Sequence, residues 1–309
     1  MAEPSTFSSE DLEPTARGLM PGSGPTDLAF ARWDHPAPRG RVVIAHGYGE
    51  HGERYRHTAR WLNGLGWSVS ALDHRGFGRS GGVRGDARGI QGPVEDLTLF
   101  LRQERMQDSG RAPAGPGAPP QILLGHSFGG LLALLVLLWH PETVDGVIAS
   151  SPALCLRRQP LPLRVLQALA RRLVPHRPFN LPGDKSRVCS DPAMVQRYLD
   201  DPLCHRYVSA GFLAALAEGI RDLMEFGGEL DRPILLLEAG QDSVVDPDGA
   251  EPLWAAIRPE LLERHRLEGF FHEIFHDLAR AQAECLAAQW LDRLFPAPDA
   301  TPATQAATL

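Results

Sequence analysis

The chain has 309 residues, with 31 Lys and Arg against 38 Asp and Glu and a formal charge of −7. That sign argues against a nucleic-acid partner, because phosphates would repel the molecule as a whole. Four cysteines, Cys155, Cys189, Cys204 and Cys285, are too scattered for a disulfide framework, and none pair at C-x-x-C spacing. This removes a zinc ribbon and a redox dithiol, and leaves the free thiols of a reducing compartment.

Residues 1–25, rich in Ser, Pro and acids, read as a poorly ordered tail. The opening MAEPSTFSSEDLEP has neither the basic start nor the apolar core of a signal peptide, so a cytoplasmic protein is expected. Residues 26–295 read as one domain and 296–309 as a second poorly ordered tail. In chain order, the strand candidates are Arg41–Ala45, Trp67–Leu72, Gln121–Leu124, Val144–Ala149 and Pro233–Leu237. Each is a nearly unbroken apolar run, as expected for strands covered on both faces of a parallel sheet. Helical patterns follow most of them, near Tyr55–Leu65, Phe128–His140, Gly249–Ile257 and Glu273–Leu294. The alternation predicts an α/β fold with a mostly parallel, doubly wound sheet. Ser109–Pro120 reads as a surface loop. The stretch from about 153 to 228 holds helical patterns but no convincing strand, and reads as an inserted helical cap. The longest apolar run, Leu131–Trp139, is far short of the roughly 20 residues of a membrane span.

The strongest chemical signal is Gly125-His126-Ser127-Phe128-Gly129, a G-x-S-x-G that follows the strand QILL and opens the helix FGGLLALLVLLW. That context is the one in which a tight strand-to-helix turn lifts a serine hydroxyl above a sheet, at the positive end of a helix. A serine hydroxyl needs a base to take its proton and a carboxylate to hold that base. Asp242, directly past the strand PILLLEAG, is favoured as the acid. Its competitor Asp246 precedes Pro247-Asp248-Gly249 and reads as a helix cap. His272 is favoured as the base because it precedes the last helical pattern, while His276 falls inside it. The backbone N–H of Phe128 should supply one oxyanion donor. The other should come from the loop His46-Gly47-Tyr48-Gly49 after the first strand candidate, with the Tyr48 N–H chosen. No P-loop, dinucleotide glycine fingerprint or H-E-x-x-H array is present, so no cofactor and no metal are expected.

On these residues the chain resembles the monoglyceride lipase and lysophospholipase group of α/β-hydrolases, often filed with serine aminopeptidases. The resemblance rests on His46-Gly47-Tyr48-Gly49-Glu50-His51 with Arg54-Tyr55, on DHRGFGRSG from Asp73 to Gly81, and on the serine motif. It extends to Ser151-Pro152, Asp201-Pro202-Leu203 and Gly269–His272, and spans about residues 26 to 294. It implies an α/β-hydrolase fold and a serine ester hydrolase acting on esters with one acyl chain, monoacylglycerols or lysophospholipids, with the acyl tunnel in the cap. By position it assigns Ser127, Asp242 and His272 to a triad and Tyr48 and Phe128 to the oxyanion hole. It also places Glu50 and Arg54 near the polar headgroup end of the substrate. An aminopeptidase or short-chain carboxylesterase of the same superfamily is the alternative activity, and a non-catalytic binding protein a more distant one.

The cap carries one further signal. Residues 152–183 contain six arginines and no acid, against the overall sign of the chain. Within Leu161–Pro175, helical projection places Leu163, Leu166, Leu169, Ala170 and Leu173 on one side and Arg164, Gln167, Arg171 and Arg172 on the other. Such a helix either covers the site as a lid or rests on anionic lipid, giving peripheral contact at the inner face of the membrane.

Overall fold

The computed structural model describes residues 11–109, 119–157, 170–180 and 187–297. Its centre is an eight-stranded sheet. The strands are β1 (Ala16–Pro21), β2 (Asp27–Trp33), β3 (Gly40–Ala45), β4 (Trp67–Leu72), β5 (Gln121–His126), β6 (Gly146–Ser150), β9 (Ile234–Ala239) and β10 (Leu262–Leu267). Their spatial order is β1-β2-β4-β3-β5-β6-β9-β10. The pairings β1–β2 and β2–β4 are antiparallel, and the pairings from β4 onward through β10 are parallel. The doubly wound sheet expected from the alternation is therefore present, with an antiparallel edge added.

β3, β4, β5, β6 and β9 are buried along their whole length. Alternate residues serve opposite faces: Val42, Ile44, Ile122 and Leu124 enter one core, Val43, Ala45 and Leu123 the other. The helix α1 (Arg56–Gly64) and the last helix, Arg280–Leu294, cover the first face. On the second lie α2 (Gln91–Ser109) and α3 (Phe128–Trp139). α3 is apolar all round because it is enclosed: Phe128 to Leu137 are buried.

The cap leaves the sheet after β6 and returns to it at β9. Among the described residues it contains the helices Pro192–Asp200 and Ala210–Phe226 and a small antiparallel pair, β7 (Phe179–Asn180) with β8 (Tyr207–Val208). Ser209 caps the second helix by accepting the Phe212 N–H. That helix lies close over α3: a Cβ at Gly219 would stand 2.7 Å from Leu135 Cδ1.

Three expectations change. The stretch read as an N-terminal tail contains a strand, Ala16–Pro21, which pairs with β2 in register from Ala16–Arg32 to Pro21–Asp27. Before it, the Leu12 carbonyl accepts the Trp33 indole N–H at 2.7 Å. The pattern from Glu273 divides into a short 3-10 turn, Ile274–His276, and a helix that begins only at Arg280. His276 therefore precedes the helix. Residues 1–10 and 298–309 of the two tails, 110–118 of the surface loop and 158–169 of the basic amphipathic stretch lie outside the described residues.

Candidate active site

Ser127 sits between β5 and α3 with φ 51° and ψ −113°, backbone angles that a residue with a side chain rarely adopts. The turn is held on both sides. Ser127 N–H donates to the Ser150 carbonyl at 2.9 Å, and its own carbonyl accepts N–H groups from Leu131 and Ala153 at 3.0 Å. Glycines are needed beside it for space. A Cβ at Gly125 would stand 2.8 Å from Gly130 Cα, and one at Gly129 2.6 Å from the His46 carbonyl. Strand and helix backbones thus approach more closely than any side chain allows.

Three side chains from three loops meet here. The Ser127 hydroxyl donates to His272 Nε2 at 2.9 Å, and His272 Nδ1–H donates to Asp242 Oδ2 at 2.7 Å. Asp242 Oδ1 accepts the N–H groups of Val244 at 2.7 Å and Val245 at 2.8 Å. Burial alone would push the Asp242 carboxyl up, but His272 and these two N–H groups hold it below the usual carboxylate range. The acid therefore stays ionised and keeps the Nδ1–H tautomer, leaving Nε2 to accept the serine proton. All three residues are at most 7% exposed. Asp246 points elsewhere. It occupies the cap position before Pro247, although its side chain makes no capping bond, and its N–H donates to the Cys155 carbonyl at 2.7 Å. His276 is buried and packs edge-on against Tyr55 and His57, with ring centroids 4.7 and 5.0 Å away.

The loop after β3 lies directly against the serine: a Cβ at Gly47 would be 3.4 Å from Ser127 Cβ. Gly49 has φ 77°, and the intervening Tyr48 is in a turn. Phe128 is the first residue of α3, where N–H groups have no partner within the helix. Glu50 braces the loop from below. Its Oε1 accepts the Gly47 N–H at 2.5 Å and the Tyr55 hydroxyl at 2.8 Å. Arg54 binds the other Glu50 oxygen, reaches Glu273 at 3.0 Å and lies over the Tyr198 ring. Both Glu50 and Arg54 are thus brought to the site, as buried members of one ionic network. Burial would raise the Glu50 carboxyl, but Arg54 keeps it below its ordinary value. His126, beside the serine, is pushed down to about 4 by burial and by His272, so it is uncharged at neutral pH. His46 accepts the His74 N–H at 3.0 Å, and its Nδ1–H donates to the Gly47 carbonyl at 2.8 Å, as a brace.

Several neighbours were not singled out by the sequence. Phe77 and Phe212 form an aromatic wall with Tyr48 and Phe128: ring centroids are 5.6 Å for Tyr48–Phe77, 5.1 Å for Tyr48–Phe212 and 4.9 Å for Phe128–Phe212. Phe77 lay inside the DHRGFGRSG motif, but Phe212 comes from the cap and had no local signal. The motif's Asp73 ties loops together, accepting the Gly52 and Arg79 N–H groups at 2.8 Å each. Glu273, next to the histidine, is the second partner of Arg54.

A family model described as serine aminopeptidase, S33, matches residues 36–279. The chain is 32% identical over 262 residues to a monoacylglycerol lipase of Mycolicibacterium smegmatis, covering 83% of this chain and 89% of that protein. It is 30% identical over 253 residues to the human monoglyceride lipase, covering 81% of each. In shape it matches the monoacylglycerol lipase of Paleococcus ferrophilus, with TM-score 0.75, 27% identity and coverage of 86% of this chain and 99% of that one. With a strand-to-helix serine turn at the end of a mostly parallel sheet, these likenesses place the chain in the serine aminopeptidase S33 family, within its monoglyceride lipase group of α/β-hydrolases, as a serine ester hydrolase.

Proposed function

We propose that the protein hydrolyses lipid esters bearing a single acyl chain, monoacylglycerols first, through a covalent acyl-enzyme on Ser127. The observation that carries this reading is the relay from Ser127 through His272 to Asp242, set against an aromatic wall under the cap. In the first step the Ser127 oxygen bonds to the ester carbonyl carbon while His272 Nε2 takes its proton. The oxyanion forms against the Tyr48 and Phe128 N–H groups. His272 then returns the proton to the leaving alcohol, and the C–O bond breaks. In the second step water gives a proton to His272 and its oxygen to the acyl carbon; the bond from that carbon to Ser127 Oγ then breaks, His272 returns the proton to the serine oxygen, and the fatty acid leaves. Relatives named monoacylglycerol lipase or monoglyceride lipase support the glycerol ester. A 27% identical relative, the phospholipase YtpA of Bacillus subtilis, supports a lysophospholipid as the second reading. No described helix is long and apolar enough to cross a membrane. Access to such substrates is proposed to run through the cap, where Arg171 and Arg172 are exposed beside Leu173, itself 73% exposed.

The test is fatty-acid release from a monoacylglycerol, a lysophosphatidylcholine, a lysophosphatidylethanolamine, a short p-nitrophenyl ester and a proline arylamide. Turnover of the monoacylglycerol, reduced about 10⁴-fold or more in Ser127→Ala, is the expected result. Turnover of lysolipid alone moves the substrate to the second reading. Activity on the arylamide alone, or wild-type rates in the Ser127→Ala protein, overturns the proposal.

A further inference from the structure

Away from the serine, three side chains of metal-ligating type converge from two parts of the fold. His51 ends the loop after β3, and Asp201 and Cys204 lie in the cap, just past the helix Pro192–Asp200. One donor atom from each, an imidazole nitrogen, a carboxylate oxygen and the thiol sulfur, lies within 4.8 Å of the other two. We propose that His51, Asp201 and Cys204 form a binding site for a thiophilic divalent cation of the zinc class, which fastens the cap to the loop that carries Tyr48.

The donor set is the one zinc favours: nitrogen, sulfur and oxygen, with a fourth position open to water. The sequence hides it, because His51 is 150 residues from Asp201. Local backbone geometry prepares the two cap ligands. Asp201 Oδ1 accepts the Leu203 N–H at 2.8 Å, and the Asp201 carbonyl accepts the Cys204 N–H at 3.1 Å. This tight turn sets sulfur and carboxylate side by side and leaves Oδ2 directed at His51 Nε2, 2.8 Å away. His51 is only 2% exposed. A cavity of about 20 Å³ lies beside His51 and Asp201, lined also by Asp11, Glu53, Arg54, Met194 and Arg197 but not by Cys204. That is room for about one water molecule, which the open fourth position would take.

Two cations lie nearby, and both are paired: Arg54 with Glu50 and Glu273, and Arg197 with Asp11. On binding, the Cys204 thiol releases its proton to solvent. The imidazole proton moves from Nε2 to Nδ1, and the ion takes the place of the hydrogen bond between Nε2 and Oδ2. Thiolate and carboxylate then neutralise a dication. Drawing the three donors in to the roughly 3.5 Å separations of a tetrahedral site needs small side-chain rotations. The consequence is mechanical. Cys204 precedes His205, whose N–H donates to the Gly49 carbonyl at 3.0 Å, so a bound ion pins the cap next to the residue after Tyr48.

Co2+ is the probe, because thiolate ligation gives it a charge-transfer absorption that oxygen and nitrogen ligands do not. Titrating the full-length, chelator-treated protein should give this band with one equivalent of Co2+, and Zn2+ should abolish it by displacement. Cys204→Ser should lose the band, whereas Cys155→Ser and Cys285→Ser keep it, and Asp201→Asn should bind Co2+ at least about tenfold more weakly. Absence of the band from the wild-type protein at saturating Co2+ overturns the proposal whatever the variants do. So does a band that survives Cys204→Ser, or an unchanged affinity in Asp201→Asn.

Discussion

Two aspartates four positions apart, Asp242 and Asp246, show how little separates a carboxylate that holds a histidine from one that does not. Both lie beyond the end of β9, and both are followed by turns. Only Asp242 has one oxygen fixed by the Val244 and Val245 N–H groups and the other free to hold His272 at 2.7 Å. The prediction at this scale is a contrast. Asp242→Asn should lower kcat about 10⁴-fold by removing the carboxylate that selects the Nδ1–H tautomer. Asp246→Asn should leave kcat near that of the wild type, because its side chain takes no part in the relay. Comparable losses in both variants would reassign the acid. The meeting of Ser127, Asp242 and His272 was legible in the sequence because the first two follow apolar strand candidates and the third precedes the last helical pattern. The brace around them was not. Arg54 lies 219 residues from Glu273, so no local pattern reports that they touch.

The same distinction governs the elements. β3 to β6 and β9 are covered on both faces, and a continuous apolar run is the signature of that burial. The edges carry other signals. β10, LERHRL, is charged because Arg264 and Arg266 reach across to Glu238 from a half-exposed strand. In β1, Leu19 is 66% exposed and Arg17 binds Glu53, so the segment looked like a tail. The cap was legible as an insertion, but not its packing, since Gly219 against Leu135 has no periodicity to announce it. The cap also sets the prediction proper to this scale. Arg171 and Arg172 stand exposed with Leu173 and Val174. Each arginine near an anionic surface contributes about 1 kcal/mol of attraction. Replacing both by Gln should weaken co-sedimentation with phosphatidylserine vesicles about tenfold or more, with release of a soluble p-nitrophenyl ester unchanged. Equal binding by both proteins would mean that the arginines only face water.

For the molecule as a whole, acid should act through histidines before it acts through carboxylates. Burial pushes His46 down to about 3 and His57 and His126 down to about 4, from an ordinary 6.5. The folded chain therefore keeps these rings neutral at pH values where the unfolded chain protonates them. By linkage, their contribution to stability is complete above about 6.5 and is lost as pH falls towards 4. Glu53 has the same sign in a lower window. Burial opposes its ionisation, but Arg17 and Arg56 outweigh this and bring it to about 2, so its contribution is lost only below its ordinary 4.5. Net charge works the other way at first, since protonation reduces an excess of −7 and with it the self-repulsion of the fold. The two effects are separable. The urea midpoint of the wild type should fall between pH 7 and pH 5, even as net charge shrinks. His57 offers the cleanest variant, because its Nε2–H donates to the Phe275 carbonyl at 2.8 Å, on the helical face of the sheet and outside the serine relay. His57→Gln keeps a donor and loses the titration, so it should be less stable than the wild type at pH 7 and converge with it by pH 5. Parallel curves for the two proteins across that range would show that the buried histidines do not set the acid limit.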